Sequence, residues 1–184
     1  MIRLTYKQHK AVSRYPLESE EQKAAWKWLA SVQVGPTDLG DVVYRYPSLQ
    51  RFSYMVPNGT QLAGSGQRRA IYMSNLKAQG LRPGVSDIVI AYPIWTPKVG
   101  YCLFPGAFIE MKRIREAYPG PAALKLAVRE EQKEFLTLMK SVGYWTAIAY
   151  GAEEFKVLVR SYLNHESPPV LDFAKKKEQN RPAQ

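Results

Sequence analysis

The sequence predicts one α/β domain built on a mixed β-sheet with helices on its faces. Three observations predict it. After residue 66 the chain reads helix, strand, strand, helix, strand, helix, an order that packs helices onto a sheet. A long helical segment precedes the last strand, so that strand can return parallel to its predecessor through a right-handed crossover. The 184 residues, 46% hydrophobic and 23% charged, suffice for one packed core.

The elements follow in order. "PLESEEQKAAWKWLASV" (16–32) predicts a helix, with acids in its first turn where the macrodipole favours them. Gln22, Ala25, Trp26, Leu29 and Ala30 fall on one face. "GPTDLGD" (35–41) breaks it. A short strand is predicted near Phe52 to Val56, ended by the turn "PNG", before the flexible loop "QLAGSGQ" (61–67). "RRAIYMSNLKAQG" (68–80) predicts a helix stopped by Gly80. "LRPG" then turns the chain into the strand "GVSDIVIAYP" (84–93). "PIWTPKVGY" (93–101) reads as a turn-rich connection and "FPGAFIEMKRI" (104–114) as the next strand. After the loop "REAYPGP", "AALKLAVREEQKEFLTLMKSVG" (122–143) reads as one long helix closed by Gly143. "YWTAIAY" (144–150) is a strand and "AEEFKVLVRSYL" (152–163) a final helix. The domain is expected to span 1–164, with 165–184 a Pro-rich, then basic, flexible tail.

Composition narrows the chemistry. The longest apolar stretches are strand-length, so no transmembrane helix is expected, and the N-terminus lacks a signal-peptide core. A lone cysteine, Cys102, excludes an internal disulfide and agrees with a reducing compartment. With His9 and His165 near opposite ends it cannot build a structural zinc site, so any metal must be held by oxygen. The formal charge of +10 points to a polyanion, nucleic acid first. The positives are spread along the chain, which suits tracking a phosphate backbone.

One constellation carries chemistry. Residues two apart in a strand share a face, so Phe108, Glu110 and Lys112 point one way and Ile109 and Met111 the other. Asp87, at the mouth of the preceding strand, can supply a second carboxylate. Two carboxylates suit a divalent cation that polarises a phosphate and acidifies bound water. A lysine beside them can orient that water or offset developing charge. The same spacing on an exposed strand is an ordinary surface ion pair. Gln132 lies within the apolar stripe Leu124, Val128, Phe135, Met139, where a polar side chain needs a partner. It belongs either at the edge of a site or at a solvated rim. Glu18 lies four residues before Gln22 on the first helix, although Glu20 and Glu21 serve equally well as helix-start acids.

These pieces together resemble the VRR-NUC nucleases, a branch of the PD-(D/E)xK restriction-endonuclease-like superfamily. The resemblance runs through "ESEEQKAAWKWL" (18–29), "PNGT" (57–60), "NLKAQGLRPGVSDIVIA" (75–91), "FIEMKR" (108–113), "EEQKEFLTLMKSVGY" (130–144) and "AEEFKVLVRSYL" (152–163). It covers roughly residues 16 to 163 and looks like the stand-alone phage and bacterial form. It implies a restriction-endonuclease-like sheet and a DNA endonuclease dependent on Mg²⁺ or Mn²⁺, selective for branched DNA such as four-way junctions. It also implies a homodimer, a cytoplasmic setting in a bacterial or phage-infected cell, and work in DNA repair. By the same resemblance Asp87, Glu110 and Glu18 match metal-binding acids, and Met111 lends its backbone carbonyl to the metal. Lys112 matches the catalytic lysine, Gln132 the motif glutamine of the following helix, and Gln22 the companion of Glu18. One departure is Ser86, where the family usually has proline; Pro83 and Gly84 still shape the turn. A non-catalytic DNA-binding module and an exonuclease or nickase acting at DNA ends are the competing readings.

Overall fold

A three-residue apolar run, Ile88–Ile90 (β2), lies at the heart of the sheet with all three side chains buried. The computed structural model describes residues 14–35, 47–56, 66–80, 82, 84–96 and 100–171. The "PNGT" turn, Pro83 and the basic tail beyond residue 171 lie outside the described residues.

Helix α1 spans Glu18–Leu29. A 3₁₀ turn at Leu49–Phe52 leads into strand β1, Ser53–Met55. Helix α2, Gly66–Ala78, precedes β2. Strands β3 (Ile94–Trp95) and β4 (Cys102–Phe104) follow, then β5, Ala107–Lys112. Helices α3 (Pro121–Ala127) and α4 (Glu130–Ser141) lead to β6, Trp145–Tyr150, and α5, Ala152–Leu163, closes the domain. The main sheet has the order β1-β2-β5-β6, antiparallel except that β6 runs parallel to β5. This is the mixed, helix-flanked sheet the sequence predicts. No described helix is long and apolar enough to cross a membrane.

Strand alternation sorts the sheet into two faces. Ala107, Ile109, Met111, Trp145, Ala147 and Ala149 join one buried cluster with Ala25 and Leu29 of α1 and Phe155, Val159 and Tyr162 of α5. Trp28 meets Phe155 edge to face, with ring centroids 6.3 Å apart. The other face lies under α4, where Phe108 packs edge-on against Phe135 and Tyr144 at 5.2 and 5.0 Å. Glu110 and Lys112 share that second face and are nevertheless buried.

Three local expectations are corrected. The stretch 122–143 is two helices, because Val128 (φ −98°, ψ 116°) and Arg129 (φ −70°, ψ 155°) are extended. The stripe from Leu124 to Met139 therefore does not run on one helix, and Leu136 is the apolar residue that α4 buries. The segment 93–101 is no mere connection: β3 and β4 pair as a hairpin, closed by the Thr96 N–H donating to the Tyr101 carbonyl at 3.0 Å, and Pro105–Gly106 separates it from β5. On α1, Ala30 is exposed, while Glu21 is buried with Ala25 and Leu29.

Two glycines set close approaches. A Cβ on Gly84 (φ +85°) would stand 2.5 Å from the Glu131 carbonyl oxygen, so the turn before β2 lies directly on the first turn of α4. A Cβ on Gly151 (φ +89°) would stand 2.6 Å from Ile114 Cγ2, which lets β6 turn sharply into α5.

Thr146, beside Phe108 in the parallel register, is fully buried with a hydroxyl that has no hydrogen-bond partner among the described residues. Valine keeps its shape and removes the desolvated oxygen. Thr146→Val is expected to stabilise the domain by roughly 1 kcal/mol. Urea denaturation measures this as a higher midpoint at unchanged slope, and a lower midpoint would reveal a partner for the hydroxyl.

Candidate functional site

The β2–β5 ladder stops at the pair Ile88 and Ile109. One residue earlier, Asp87 continues the contact with its side chain: its Oδ2 accepts the Met111 N–H at 2.9 Å. The Asp87 carbonyl accepts the Val56 N–H at 3.0 Å, which ties it to the end of β1. Asp87 is thus held from both sides and is 8% exposed. In an extended strand the N–H and C=O of one residue point to the same edge. The Met111 carbonyl is therefore turned toward the Asp87 side, while its side chain is buried in the core.

Glu110 has no exposed surface. Its Oε1 accepts a hydrogen bond from Lys112 Nζ at 2.6 Å and another from Gln132 Nε2. Its Oε2 is buried and takes no hydrogen bond from a donor group among the described residues, while the Asp87 carboxylate lies within hydrogen-bond reach of Glu110. Lys112 Nζ also lies 3.6 Å from Glu18 Oε2, so the ammonium bridges the buried carboxylate and a half-exposed one on α1. Glu18 reaches the site through Lys112. Among the described residues no three His, Cys, Asp or Glu side chains form a ready-made cation cage.

Three carboxylates here face one ammonium, and the excess negative charge governs the titrations. Burial, then the neighbouring Asp87 charge, pushes Glu110 up to about 8, against the opposing pull of Lys112. Burial raises Glu18 above the usual carboxylate range, and Asp87 adds to it while Lys112 resists. Burial by itself would depress the Lys112 ammonium; the charges of Glu110, Glu18 and Asp87 outweigh it and hold it above the ordinary lysine value.

Gln132 explains both its own burial and the helix break. It sits in the first turn of α4 and its Oε1 accepts the Arg129 N–H at 2.9 Å, the reciprocal arrangement of a helix start. Its amide nitrogen then reaches across to Glu110. The side chain that starts the helix is also the one that holds the carboxylate. Gln22, offered as a companion of Glu18, is half-buried on α1.

The three acids of α1 separate cleanly. Glu20 Oε2 accepts the Leu17 N–H at 3.1 Å at the helix start. Glu21, 8% exposed, accepts the Ala152 N–H at 2.7 Å and so caps α5. Only Glu18 meets Lys112. Sequence reasoning missed the role of Glu21, although its spacing of four to Ala25 and eight to Leu29 places it on the buried face. It also missed Arg129, whose positive charge opposes the rise of Glu18, and Tyr118, whose phenol is kept protonated by burial and by the Glu18 charge. No local pattern marks either one.

A raised Glu110 makes the metal-free protein pH-sensitive. Between its ordinary value near 4.5 and about 8 the folded state holds a proton that the unfolded chain releases. The stabilisation is complete below about 4.5 and is lost as pH rises toward 8. Urea titrations without divalent cations are expected to show stability falling across that window. Glu110→Gln, which keeps the Oε1 acceptor and cannot ionise, should reduce the slope; an unchanged slope would place the titration elsewhere.

No family model matches the sequence, and no curated protein matches it. Among solved structures the chain resembles a VRR_NUC domain protein with a TM-score of 0.55 and 15% sequence identity, over 85% of this chain and 95% of that one. An agreement of that extent at so low an identity is carried by the order and packing of helices and strands. The chain has the restriction-endonuclease-like fold of a VRR_NUC domain protein.

Proposed function

We propose that this protein is a nuclease that hydrolyses DNA phosphodiester bonds with the help of a divalent cation. The observation that carries the reading is a carboxylate pair, Asp87 and Glu110, beside a buried lysine, with one Glu110 oxygen buried and taking no hydrogen bond from a donor group among the described residues. The donor set fits Mg²⁺ or Mn²⁺: hard oxygens, an excess of negative charge, and a site that needs only one or two carboxylates because such ions keep several waters. Asp87, Glu110 and the Met111 carbonyl would hold the ion, with Glu18 assisting through water. When bound, the ion polarises the phosphate and acidifies its water.

The remaining roles belong to the chain. The Asp87 oxygen fixed by the Met111 N–H keeps that carboxylate at the strand end. Gln132 and Lys112 both hold Glu110 Oε1, which orients the carboxylate and leaves Oε2 available. Lys112, kept protonated by the surrounding acids, offers positive charge where negative charge develops on the phosphate. Glu18 braces the lysine from the solvent side. The expected substrate is branched DNA, including four-way junctions, cut by a homodimer whose two sites make paired incisions in the cytoplasm of a bacterial or phage-infected cell. A non-catalytic DNA-binding module would have no use for a buried Glu–Lys pair, whose desolvation is costly.

Asp87→Ala, Glu110→Ala and Lys112→Ala are each expected to lower cleavage by at least about 10²-fold. Binding should be retained. The measurement incubates each protein with labelled junctions, flaps, hairpins, single strands and duplex in Mg²⁺ or Mn²⁺. Near wild-type cutting by any variant would remove that residue from the mechanism.

The +10 charge implies that binding displaces counterions. Affinity for duplex DNA should fall by roughly 10³-fold or more between about 50 and 200 mM salt. Fluorescence anisotropy across that range tests this, and a flat affinity would contradict a phosphate-tracking surface.

A further inference from the structure

Beyond Lys112 the chain builds a flat guanidinium–phenol platform that none of the roles above uses. The parallel register sets Tyr150 beside Lys112 on the same sheet face. The Arg115 guanidinium lies over the Tyr150 ring, 4.2 Å from its centroid. Its Nε and Nη2 donate to the two carboxylate oxygens of Glu154 at 3.0 and 2.8 Å. The guanidinium is therefore fixed in plane by a two-point contact and backed by a ring, yet its side chain is 53% exposed. Tyr118 meets Tyr150 edge-on at 6.2 Å. Tyr150 is the sheet partner of Lys112, so the surface adjoins the site. It opens into a groove of about 900 Å³ whose lining includes Arg115, Tyr150, Leu124, Val128, Ile148 and Leu158.

Two readings compete. Arg115 could simply tie the turn after β5 to α5. A surface ion pair contributes little to stability, and a tie needs neither a planar group nor an aromatic ring beneath it. An oriented guanidinium plane with one face covered and the other turned outward has the form that stacks on a nucleobase.

We propose that Arg115, backed by Tyr150, stacks on an unpaired nucleobase adjacent to the phosphate held at Asp87, Glu110 and Lys112. This rests on the nuclease reading and adds a substrate class to it. In continuous duplex both faces of each base are covered by neighbours, so the platform is usable only where the stack is broken. The platform thus selects a splayed strand, and the apolar groove beside it gives the displaced base and sugar a place to lie.

The test uses the full chain with Ca²⁺ in place of Mg²⁺, so that DNA stays uncut. Splayed-arm duplexes carry a single abasic site moved one nucleotide at a time through the unpaired strand next to the branch. In the wild type, abasic substitution at one position is expected to weaken binding by about tenfold. Arg115→Lys keeps the charge but loses the plane; it should bind the intact splayed DNA about tenfold more weakly and be indifferent to the abasic site at that position. Affinity of Arg115→Lys for continuous duplex should be unchanged, which also confirms that it folds. If the wild type binds splayed DNA yet tolerates an abasic site at every position, the platform is refuted and the nuclease reading stands. Wild-type affinity of Arg115→Lys for splayed DNA refutes the platform equally. If the wild type binds no DNA of any form, both fall together.

Discussion

A carboxylate with no exposed surface is the constraint on which the rest of this structure depends. Glu110 sits on the central strand β5, paired with Ile148 of β6 and under α4. An isolated charge in that position would be prohibitively unstable. Lys112 and Gln132 both direct donors at one of its oxygens, and the other receives no donor from the described residues. Each of these groups has a second obligation. Lys112 reaches Glu18 on α1, and Gln132 accepts the Arg129 N–H at the start of α4. The buried carboxylate therefore ties β5 to two helices on different parts of the chain.

That arrangement accounts for features that look unrelated. The break between α3 and α4 places an N-terminal turn over the sheet, so that Gln132 can act at once as a helix-start acceptor and as a donor to Glu110. The close contact of Gly84 with the Glu131 carbonyl sets the turn before Asp87 on that same first turn of α4. A side chain at residue 84 would force the two apart. Asp87, anchored by the Met111 N–H, then stands beside Glu110 close enough to raise its proton affinity. The result is a surplus of negative charge that a proton on Glu110 relieves below about pH 8.

Residues with two duties also appear at the far end of β5 and β6. Glu21 caps α5 from α1 at the point where Gly151 turns the chain, so the two helices covering the core face are joined by a buried polar contact as well as by Trp28 and Phe155. On the opposite face Tyr150 continues the row occupied by Lys112, and Arg115 lies on its ring. The same strand pair therefore presents acidic chemistry at one point and a planar cation a few residues on.

How much of this was legible without the structure follows from the range of each interaction. A period of two within β5 is enough to put Glu110 and Lys112 on one face, and the order of helices and strands is enough to predict a mixed sheet. Both are local or sequential properties, and no partner is needed to state them. The sequence resemblance pointed to Asp87, Gln132 and Glu18, but their geometry was not deducible from spacing. Asp87 meets Met111 across 24 residues, and Gln132 meets Glu110 across 22. Those contacts depend on strand order, register and the angle at which α4 crosses the sheet. The sequence likewise left Glu18, Glu20 and Glu21 equivalent as helix-start acids. A local bond to the Leu17 N–H took Glu20, and tertiary packing separated the other two: α5 took Glu21 and Lys112 took Glu18. The sequence by itself determined which residue types and faces were available; only the packing of distant elements decided which of them would meet. The physical reason is that periodicity constrains side chains within one element, whereas partner choice for a buried charge is settled by which other elements exclude water around it.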